Sequence, residues 1–229
     1  MINHYPPGRY RRQSSHRAAQ FQNSHRPTPL ASDDAWGDTH KFHQVETIRI
    51  AFQNIQGLPR FPYAEKHKQL RDLVDKLHCD FLGIAELNLH FSKLKSHEQW
   101  KERFRQFPRH HSIHSSNINF LHHHSPVLFG GVGQFSFNTL AHCAISSGND
   151  PTGLGRWVWT KFQGRNASTL RIITGYRPNR DRTNATSTVF SQHQHFLLAH
   201  DDDRDPKRAF LEDLGTCIQS WQALGDLIV

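Results

Sequence analysis

The sequence predicts an α/β fold in which two strands end side by side at one edge of a sheet. The first sign is an apolar run from Thr47 to Pro59, TIRIAFQNIQGLP, whose strand-like part ends at Asn54. The second is another apolar run, DFLGIAE, from Asp80 to Glu86. The third is an amphipathic helical segment between the two runs. Because such a unit brings both polar ends to one edge, we expect the chemistry of the protein there.

The first strand alternates side chains between two faces, as strands do. One face carries Ile48, Ile50, Phe52 and Asn54. We expect its three apolar side chains to pack in the core, and the amide at the end of the strand to form hydrogen bonds. Gly57 and Pro59 then mark a turn.

The helical segment runs from about Tyr63 to Leu77. Its apolar residues follow the i, i+3, i+4, i+7 spacing of a face that packs on a sheet, and they are Leu70, Leu73, Val74 and Leu77. The basic residues among the other positions are interpreted as a solvated face, and they are Lys66, Lys68, Arg71 and Lys76. The second strand then ends in Glu86. Because a glutamate is almost never fully buried unless it is paired, this carboxylate needs a basic side chain or a metal ion.

The remaining chain predicts three strands and a final helix. The strands lie near residues 127–137, 156–163 and 169–176, with a hairpin turn at 164–166. The final helix opens at Asp205-Pro206, has a buried stripe that includes Phe210, and ends at Gly225. Leu227 then begins another buried strand. The segments 88–125, with a short helix near 98–107, and 179–203 are expected to be loops.

Composition favours an anionic partner. The net charge is +8, the pI is about 9.7 and the mean hydropathy is -0.69. Residues 1–45 have almost no aliphatic periodicity, so we expect a disordered basic leader there and a folded domain over 46–229. Nucleic acid is the first candidate partner for a chain of this charge.

Cysteine and histidine spacing gives no metal or disulfide framework. Cys79, Cys143 and Cys217 are far apart and odd in number, which fits a reducing compartment and predicts no structural zinc. The clusters at 110–114 and 122–124 lack ligand spacing, so we interpret those histidines as surface loop. No apolar run reaches the ~18 residues of a membrane span, and no secretory signal is recognisable. We therefore expect an intracellular protein of the nucleus or cytoplasm, without a membrane partner.

Four segments, in order, resemble motifs of the endonuclease/exonuclease/phosphatase superfamily, which has the DNase I-like fold. They are IRIAFQNIQGLP, DFLGIAEL, GGVGQFSF and LRIITGYRPNR. The style of GLGRWVW and of DPKRAFLEDL is similar to the endonuclease region of retroelement polyproteins. The resemblance spans roughly 45–229. It implies a partial four-layer α/β sandwich, that is, two mixed β-sheets flanked by helices and truncated before the C-terminal half.

The resemblance also implies a reaction and residues for it. The reaction is phosphodiester cleavage of DNA assisted by Mg²⁺, with Mn²⁺ as a second choice. Glu86 matches the metal-binding glutamate, and Asn54 matches the asparagine that assists at the metal and phosphate. Tyr176 matches the tyrosine beside the scissile phosphate, and Asn179 matches an asparagine that contacts the nucleic-acid backbone. Gln56 departs from the family, which often has Asp or Asn there.

Three arginines are candidate phosphate clamps by charge and position alone. They are Arg156, Arg177 and Arg180. The simpler interpretations stay open beside these roles. Asn54 can cap a turn, Glu86 can pair with a neighbouring cation, Tyr176 can be an interface aromatic, and Arg156 can be a plain surface charge.

Two later motifs of the family are missing. Gly-Asp-Phe-Asn carries an orienting Asp, and Ser-Asp-His carries the general base. Leu227-Ile228-Val229 resembles the strand before the first of them, and Asp226 belongs to the preceding turn. We therefore expect this chain alone to be inactive or nearly so. The alternative functions are a non-catalytic nucleic-acid-binding remnant, a phosphatase of the same fold and a decayed gene fragment without activity. We also expect the rest of a longer polyprotein as a partner.

Overall fold

The computed structural model describes residues 47–107, 109–119, 126–180 and 188–229. The predicted leader over residues 1–45 and the histidines at 122–124 lie outside the described residues. No helix in the described part is both long and apolar enough to cross a membrane. The three cysteines, Cys79, Cys143 and Cys217, are all unbridged.

The described residues form eight strands and five α-helices. The strands are β1 (Ile50–Asn54), β2 (Phe81–Ala85), β3 (His110–Ser115), β4 (Val132–Phe137), β5 (Ala144–Asn149), β6 (Trp157–Gln163), β7 (Thr169–Gly175) and β8 (Asp226–Ile228). The helices are α1 (Glu65–Leu77), α2 (Trp100–Arg103), α3 (Asn138–His142), α4 (Val189–Ala199) and α5 (Pro206–Ala223).

The strands pair into two four-stranded sheets. The first sheet has the order β1-β2-β4-β3, and the second has the order β5-β6-β7-β8. In the first, β1 and β2 run parallel while β4 is antiparallel to both β2 and β3. In the second, β7 and β8 run parallel and the other pairs are antiparallel. Two mixed sheets flanked by helices confirm the predicted fold class.

Helix α1 connects the parallel strands β1 and β2, as the βαβ pattern predicts. Leu70 and Val74 of its apolar face are buried, and His67 is buried one turn earlier. The helix ends at His78, which adopts the left-handed conformation and donates its N–H back to the last carbonyls. Leu77, predicted to pack, is exposed instead. The buried residues of α1 therefore begin about one turn nearer to the start of the helix than the sequence predicts.

The main core lies on the α1 side of the first sheet and is strongly aromatic. Trp100 stacks on Phe135 with 5.0 Å between ring centroids, and Phe104 meets Phe135 edge-on at 4.6 Å. Strand β3 was predicted to be a loop because HHSIHS has no apolar alternation. His114 of this strand stacks on Trp100 at 4.7 Å, and burial lowers its pKa to about 4. A neutral imidazole thus replaces an apolar side chain in this strand.

The two sheets face each other through small and polar side chains. A Cβ added to Gly83 of β2 would lie 2.6 Å from Thr174 Oγ1 of β7, so the sheets approach too closely for a side chain there. Gln134 of β4 donates a hydrogen bond to Thr160 of β6, and both are buried. This close contact fixes β7 over β2, and it brings the ends of those two strands to the same side of the molecule.

Strand β1 is an edge strand, and the prediction that its apolar face packs was wrong. Ile48 and Ile50 are exposed, and Phe52 is 59% exposed. Phe52 pairs with Gly83, which faces the second sheet. In the second sheet the outermost strand, β8, has only three residues, and its Leu227 is exposed as well. Within the described residues, therefore, the space between the sheets is open along the β1 and β8 side.

The C-terminal helices give one missed and one confirmed prediction. Helix α4 lies in the segment predicted to be a loop, and the Thr188 side chain caps it by accepting from Ser191 N. Helix α5 begins as predicted, because Asp205 accepts a hydrogen bond from Lys207 N and Pro206 occupies the first turn.

The predicted hairpin turn at 164–166 also forms, as a short 3-10 turn between β6 and β7.

Candidate active site

Asn54 and Glu86 lie at the same edge of the first sheet. Parallel pairing sets Asn54, the last residue of β1, opposite Ala85, the last residue of β2. Ile55 N donates to Ala85 O at 3.0 Å, and Gly57 N donates to Glu86 O at 2.7 Å. The turn after β1 is therefore joined by hydrogen bonds to the residue that carries the candidate carboxylate.

The backbone at this edge is held in an unusual conformation. Glu86 has φ of 57°, Gln56 has φ of 48° and Asn88 has φ of 53°. Residues with a side chain rarely adopt positive φ, and such residues cluster at ligand and catalytic sites, where surrounding contacts hold them. Here the main chain just before β4 supplies a contact, because Leu87 N donates to Gly131 O at 3.1 Å.

Tyr176 brings the second sheet to the same place. It directly follows β7, and its N–H donates to Arg156 O at 2.8 Å, which continues the pairing with β6. Burial raises the pKa of the Tyr176 hydroxyl well above its usual range, and the hydrogen bond to the Glu86 carboxylate and the charge of Glu86 raise it further. The tyrosine therefore lies near enough to Glu86 to be affected by its negative charge. One carboxylate and one phenol thus meet where the ends of β2 and β7 adjoin.

The Asn54 side chain supports the turn that follows β1. Its Oδ1 accepts a hydrogen bond from Gln56 N at 3.0 Å, as asparagine often does in turns. The side chain is exposed, and a carbonyl oxygen has a second lone pair for another partner. Asn54 thus fulfils the simpler role that its residue type predicts, and it still presents an amide at the sheet edge.

Two residues at this edge were not predicted to take part. Lys66, predicted to be solvated, donates from Nζ to Ile55 O at 2.9 Å and to Gly57 O at 2.8 Å. Asn88 accepts from Gly130 N at 2.8 Å through Oδ1. Asparagine tolerates positive φ better than most residues, which is the one sequence signal that favours it two positions after Glu86. Both residues hold the main chain around Asn54 and Glu86.

A surface pocket of about 210 Å³ lies beside Asn54, on the α1 side of the turn. Its lining includes Gln56, Lys66 and Gln69, and it does not include Glu86 or Tyr176. The pocket is therefore separate from the pair formed by the carboxylate and the phenol. The candidate site is defined by the side-chain contacts at the sheet edges, not by this cavity.

Arg156 lies in the interior, away from the position of an exposed phosphate clamp. Its side chain is 1% exposed and pairs with Asp150 at 2.6 Å and with Asp213 at 2.8 Å. Burial alone lowers the pKa of Arg156, but the hydrogen bonds and charges of the two aspartates raise it by more. Arg156 therefore links the β5–β6 loop to α5. It is neither the plain surface charge nor the accessible cation that the sequence suggests.

The segment after Tyr176 carries the other three candidates. Arg177, Asn179 and Arg180 are exposed, whereas Pro178 between them is buried. The Arg180 guanidinium lies 6.0 Å from the ring centroid of Phe190. Because this segment begins at Tyr176, its exposed side chains lie on the surface next to the candidate site.

The donor set at the edge fits a weakly enclosed magnesium ion. Glu86 supplies a carboxylate and Asn54 an amide oxygen. Mg²⁺ is commonly held by one or two carboxylates, with waters and substrate phosphates completing its shell. Among the described residues, no three His, Cys, Asp or Glu side chains group together in a way that could hold a metal ion.

Comparison with solved structures finds similar folds at low identity. An AP endonuclease from Leishmania major is similar with a TM-score of 0.46 and 12% identity, over 72% of this chain and 47% of that one. A 3′ phosphatase from Neisseria, bound to a product DNA hairpin, has a TM-score of 0.40 and 17% identity over 67% and 50% of the two chains. An endonuclease/exonuclease/phosphatase from Beutenbergia cavernae has a TM-score of 0.39 and 13% identity over 69% and 44%.

No family model matches the sequence, and no curated protein matches it. The chain spans about half the length of the solved structures to which it is similar. These are similarities to solved structures at low identity, and the predicted endonuclease/exonuclease/phosphatase superfamily and its retroelement type stay predictions.

Proposed function

We propose that this chain carries part of a metal-assisted nuclease site that acts on phosphodiesters of DNA, of the retroelement endonuclease type. The observation that carries the proposal is the proximity of the Tyr176 phenol to Glu86, at the end of the strand that pairs with the one ending in Asn54. A carboxylate, an amide and a phenol at one sheet edge are a suitable set for a phosphate and its cation. The strained backbone at Glu86 supports a functional role for this edge.

Each side chain has a distinct task in the proposed site. Glu86 and Asn54 would hold a hydrated Mg²⁺, which supplies charge neutralisation at the phosphoryl and leaving oxygens. The raised pKa keeps Tyr176 protonated even in mild base, so its single O–H would donate either to Glu86 or to a phosphate oxygen. Lys66 holds the turn that carries Asn54. Arg177, Asn179 and Arg180 would contact the backbone of the nucleic acid from the surface beside Tyr176.

These 229 residues alone are proposed to cleave slowly. The sequence contains neither Gly-Asp-Phe-Asn nor Ser-Asp-His, the motifs that carry the family's orienting Asp and general base. Loss of a general base typically lowers the rate by ~10²–10⁴-fold. Metal binding and DNA binding need only the residues of the described edge, and they are therefore the first properties to measure.

The test measures metal binding and cleavage on the same variants. Mn²⁺ binding followed by electron paramagnetic resonance, in the presence of a short DNA duplex, is expected for the wild-type chain and for Glu65→Gln, and not for Glu86→Gln. Glu65 is an exposed residue of α1 and serves as the matched control. Equal Mn²⁺ binding by wild type and Glu86→Gln would overturn the metal site. Robust plasmid nicking with Mg²⁺, lost in Glu86→Gln, would support the site and contradict slow cleavage.

A non-catalytic nucleic-acid binder is the second candidate, because the net charge is +8 and Arg177 and Arg180 are exposed. Its binding would fall steeply with salt, since each neutralised phosphate releases counterions. Such binding would need no metal and would persist in Glu86→Gln. The same variant therefore separates the two functions.

A further inference from the structure

The loop between β1 and α1 presents two aromatic side chains to solvent. Phe61 is 70% exposed and Tyr63 is 96% exposed, while Pro62 between them is buried. Their Cα atoms are at most ~7 Å apart, as for any residues two positions apart. Large aromatic side chains usually lie at least partly buried, so two neighbouring exposed ones indicate a binding surface.

The main chain of this loop is firmly held. The buried guanidinium of Arg103 donates to Pro59 O and, at 2.8 Å, to Arg60 O. It also donates to Glu98 O at 2.9 Å. The Arg60 side chain pairs with Glu98 at 3.1 Å. The loop therefore holds Phe61 and Tyr63 in solvent on a fixed backbone, which lowers the entropy cost of binding to them.

The surroundings of the loop are strongly basic. The loop, the first turns of α1 and the segment 93–105 contain eight basic and three acidic residues. The basic residues are Arg60, Lys66, Lys68, Lys93, Lys95, Lys101, Arg103 and Arg105, and the acidic ones are Glu65, Glu98 and Glu102. Arg60 pairs with Glu98, Arg105 pairs with Glu102, and Arg103 is buried, so the exposed excess of positive charge comes from the lysines. The excess of positive charge complements a polyanion.

The loop also lies next to the candidate active site. It follows the turn of Asn54 to Gly57 directly along the chain, and Lys66 of the first turn of α1 is bonded to that turn. A strand of nucleic acid whose phosphate lies near Asn54 would therefore pass close to Phe61 and Tyr63. This step rests on the proposed function.

We propose that Phe61 and Tyr63 form a stacking platform for unpaired bases of a single-stranded DNA segment next to the cleavage site. Aromatic side chains beside a basic surface are the usual means of binding single strands, because every base has a face that can stack. Paired bases in a duplex do not offer that face. The platform therefore gives the proposed nuclease a preference for DNA with an unpaired segment. A protein partner would also contact exposed aromatics, but the basic surroundings favour nucleic acid.

The test is binding of a fluorescent 12-nucleotide single strand and of a blunt duplex of equal length, followed by anisotropy in EDTA. Wild type is expected to bind the single strand more tightly. Phe61→Ala and Tyr63→Ala are each expected to weaken that binding by ~5- to 100-fold, since stacking is worth ~1–3 kcal/mol per base. Phe61→Trp and Tyr63→Trp are expected to retain it. The salt dependence is expected to stay as in wild type, because stacking neutralises no phosphate.

Leu198→Ala is the matched control, because Leu198 is 61% exposed on α4 and should not affect binding. Single-strand binding by Phe61→Ala and Tyr63→Ala at wild-type strength would overturn the platform, as would equal loss of single-strand and duplex binding. Neither result bears on Mn²⁺ binding through Glu86. Conversely, if single-strand binding depends on Phe61 and Tyr63 but Mn²⁺ binding does not depend on Glu86, only the proposed function is contradicted. Loss of self-association in Tyr63→Ala, with DNA binding intact, would assign the loop to a protein contact and overturn the proposal.

Discussion

The hydroxyl of Tyr176 lies close enough to the carboxylate of Glu86 for that carboxylate to raise its pKa, and this proximity places the ends of the two sheets together at the candidate active site. Tyr176 follows β7 of the second sheet, and Glu86 follows β2 of the first. Gly83 and Thr174 lie behind them, where the sheets approach closely. The position of the phenol over the carboxylate is therefore set by packing between the sheets, not by the local loop alone.

The first prediction concerns the ionisation of Tyr176. Its pKa is raised by burial first and then by Glu86, so Tyr176 should remain protonated at pH values where an exposed tyrosine, with a pKa of about 10, has lost its proton. Glu86→Gln removes the negative charge and should lower the pKa of Tyr176, yet leave it above 10 because burial remains. Nuclear magnetic resonance of ring-labelled tyrosine, with Tyr176→Phe to assign the signal, measures both values. An unchanged pKa in Glu86→Gln would contradict the contact.

The second prediction concerns the turn between Asn54 and Gly57. Lys66→Met removes two charged hydrogen bonds to the carbonyls of Ile55 and Gly57. Because Lys66 is only half-buried, we expect a loss of ~1–2 kcal/mol in the free energy of unfolding. Lys68→Met, on the exposed face of the same helix, should change it by less than ~0.5 kcal/mol. Urea unfolding of both variants tests the difference, and equal stability of the two would show that Lys66 does not hold the turn.

The sequence predicts that Asn54 and Glu86 lie at the same edge of the sheet, for a physical reason. Two apolar runs joined by an amphipathic helix form a parallel pair, and parallel strands end at the same edge. Tyr176 follows from its motif, but its proximity to Glu86 depends on how the sheets pack. Alternation along a strand does not reveal whether a second layer covers it, which is why Phe52 was expected in the core. Strand β3 was missed because His114 packs on Trp100 as a neutral ring, which residue type alone does not indicate.

The third prediction is a loss of stability in mild acid. Burial, and then the charge of Arg103, lowers the pKa of His67 to about 4, and burial, followed by Arg156, lowers that of His193 to about 4. An unfolded histidine has a pKa of about 6.5. Between these pH values the histidines are protonated in the unfolded chain but not in the folded chain. The free energy of unfolding is therefore highest above about pH 6.5 and falls as the pH drops towards 4.

Between about pH 6.5 and 4, each of these histidines should therefore lower the free energy of unfolding by up to ~1.4 kcal/mol per pH unit. Urea unfolding at about pH 7 and about pH 5 measures the change. His67→Gln, which keeps an acceptor for Arg103, should reduce the difference between the two pH values. His195→Gln, an exposed change on α4, should leave the difference as in wild type. A stability that is independent of pH over this range would contradict the burial of both imidazoles as neutral groups.

The last prediction concerns Asp226, which anchors β8 to the second sheet. Its carboxylate accepts from Arg171 at 2.7 Å and pairs with Lys161 at 2.7 Å. The Arg171 guanidinium in turn lies 4.0 Å from the Trp159 ring and 4.3 Å from the Trp221 ring. Burial raises the pKa of Asp226, but hydrogen bonds from Lys161, Thr169 and Arg171 lower it by more, to about 2. Its stabilising effect is therefore present above about pH 4 and is lost as the pH falls through 2.

Asp226→Asn should lower the free energy of unfolding by ~3–5 kcal/mol, because it leaves the buried guanidinium of Arg171 without its counter-charge. Asp203→Asn, an exposed change in the loop before α5, should cost less than ~0.5 kcal/mol. Tryptophan fluorescence followed through urea unfolding measures stability. Hydrogen exchange at Ile173, whose N–H donates to Val229 O, reports whether β8 stays attached. Stability within ~1 kcal/mol of wild type would contradict this role of Asp226, since a buried guanidinium without a counter-charge costs more than that.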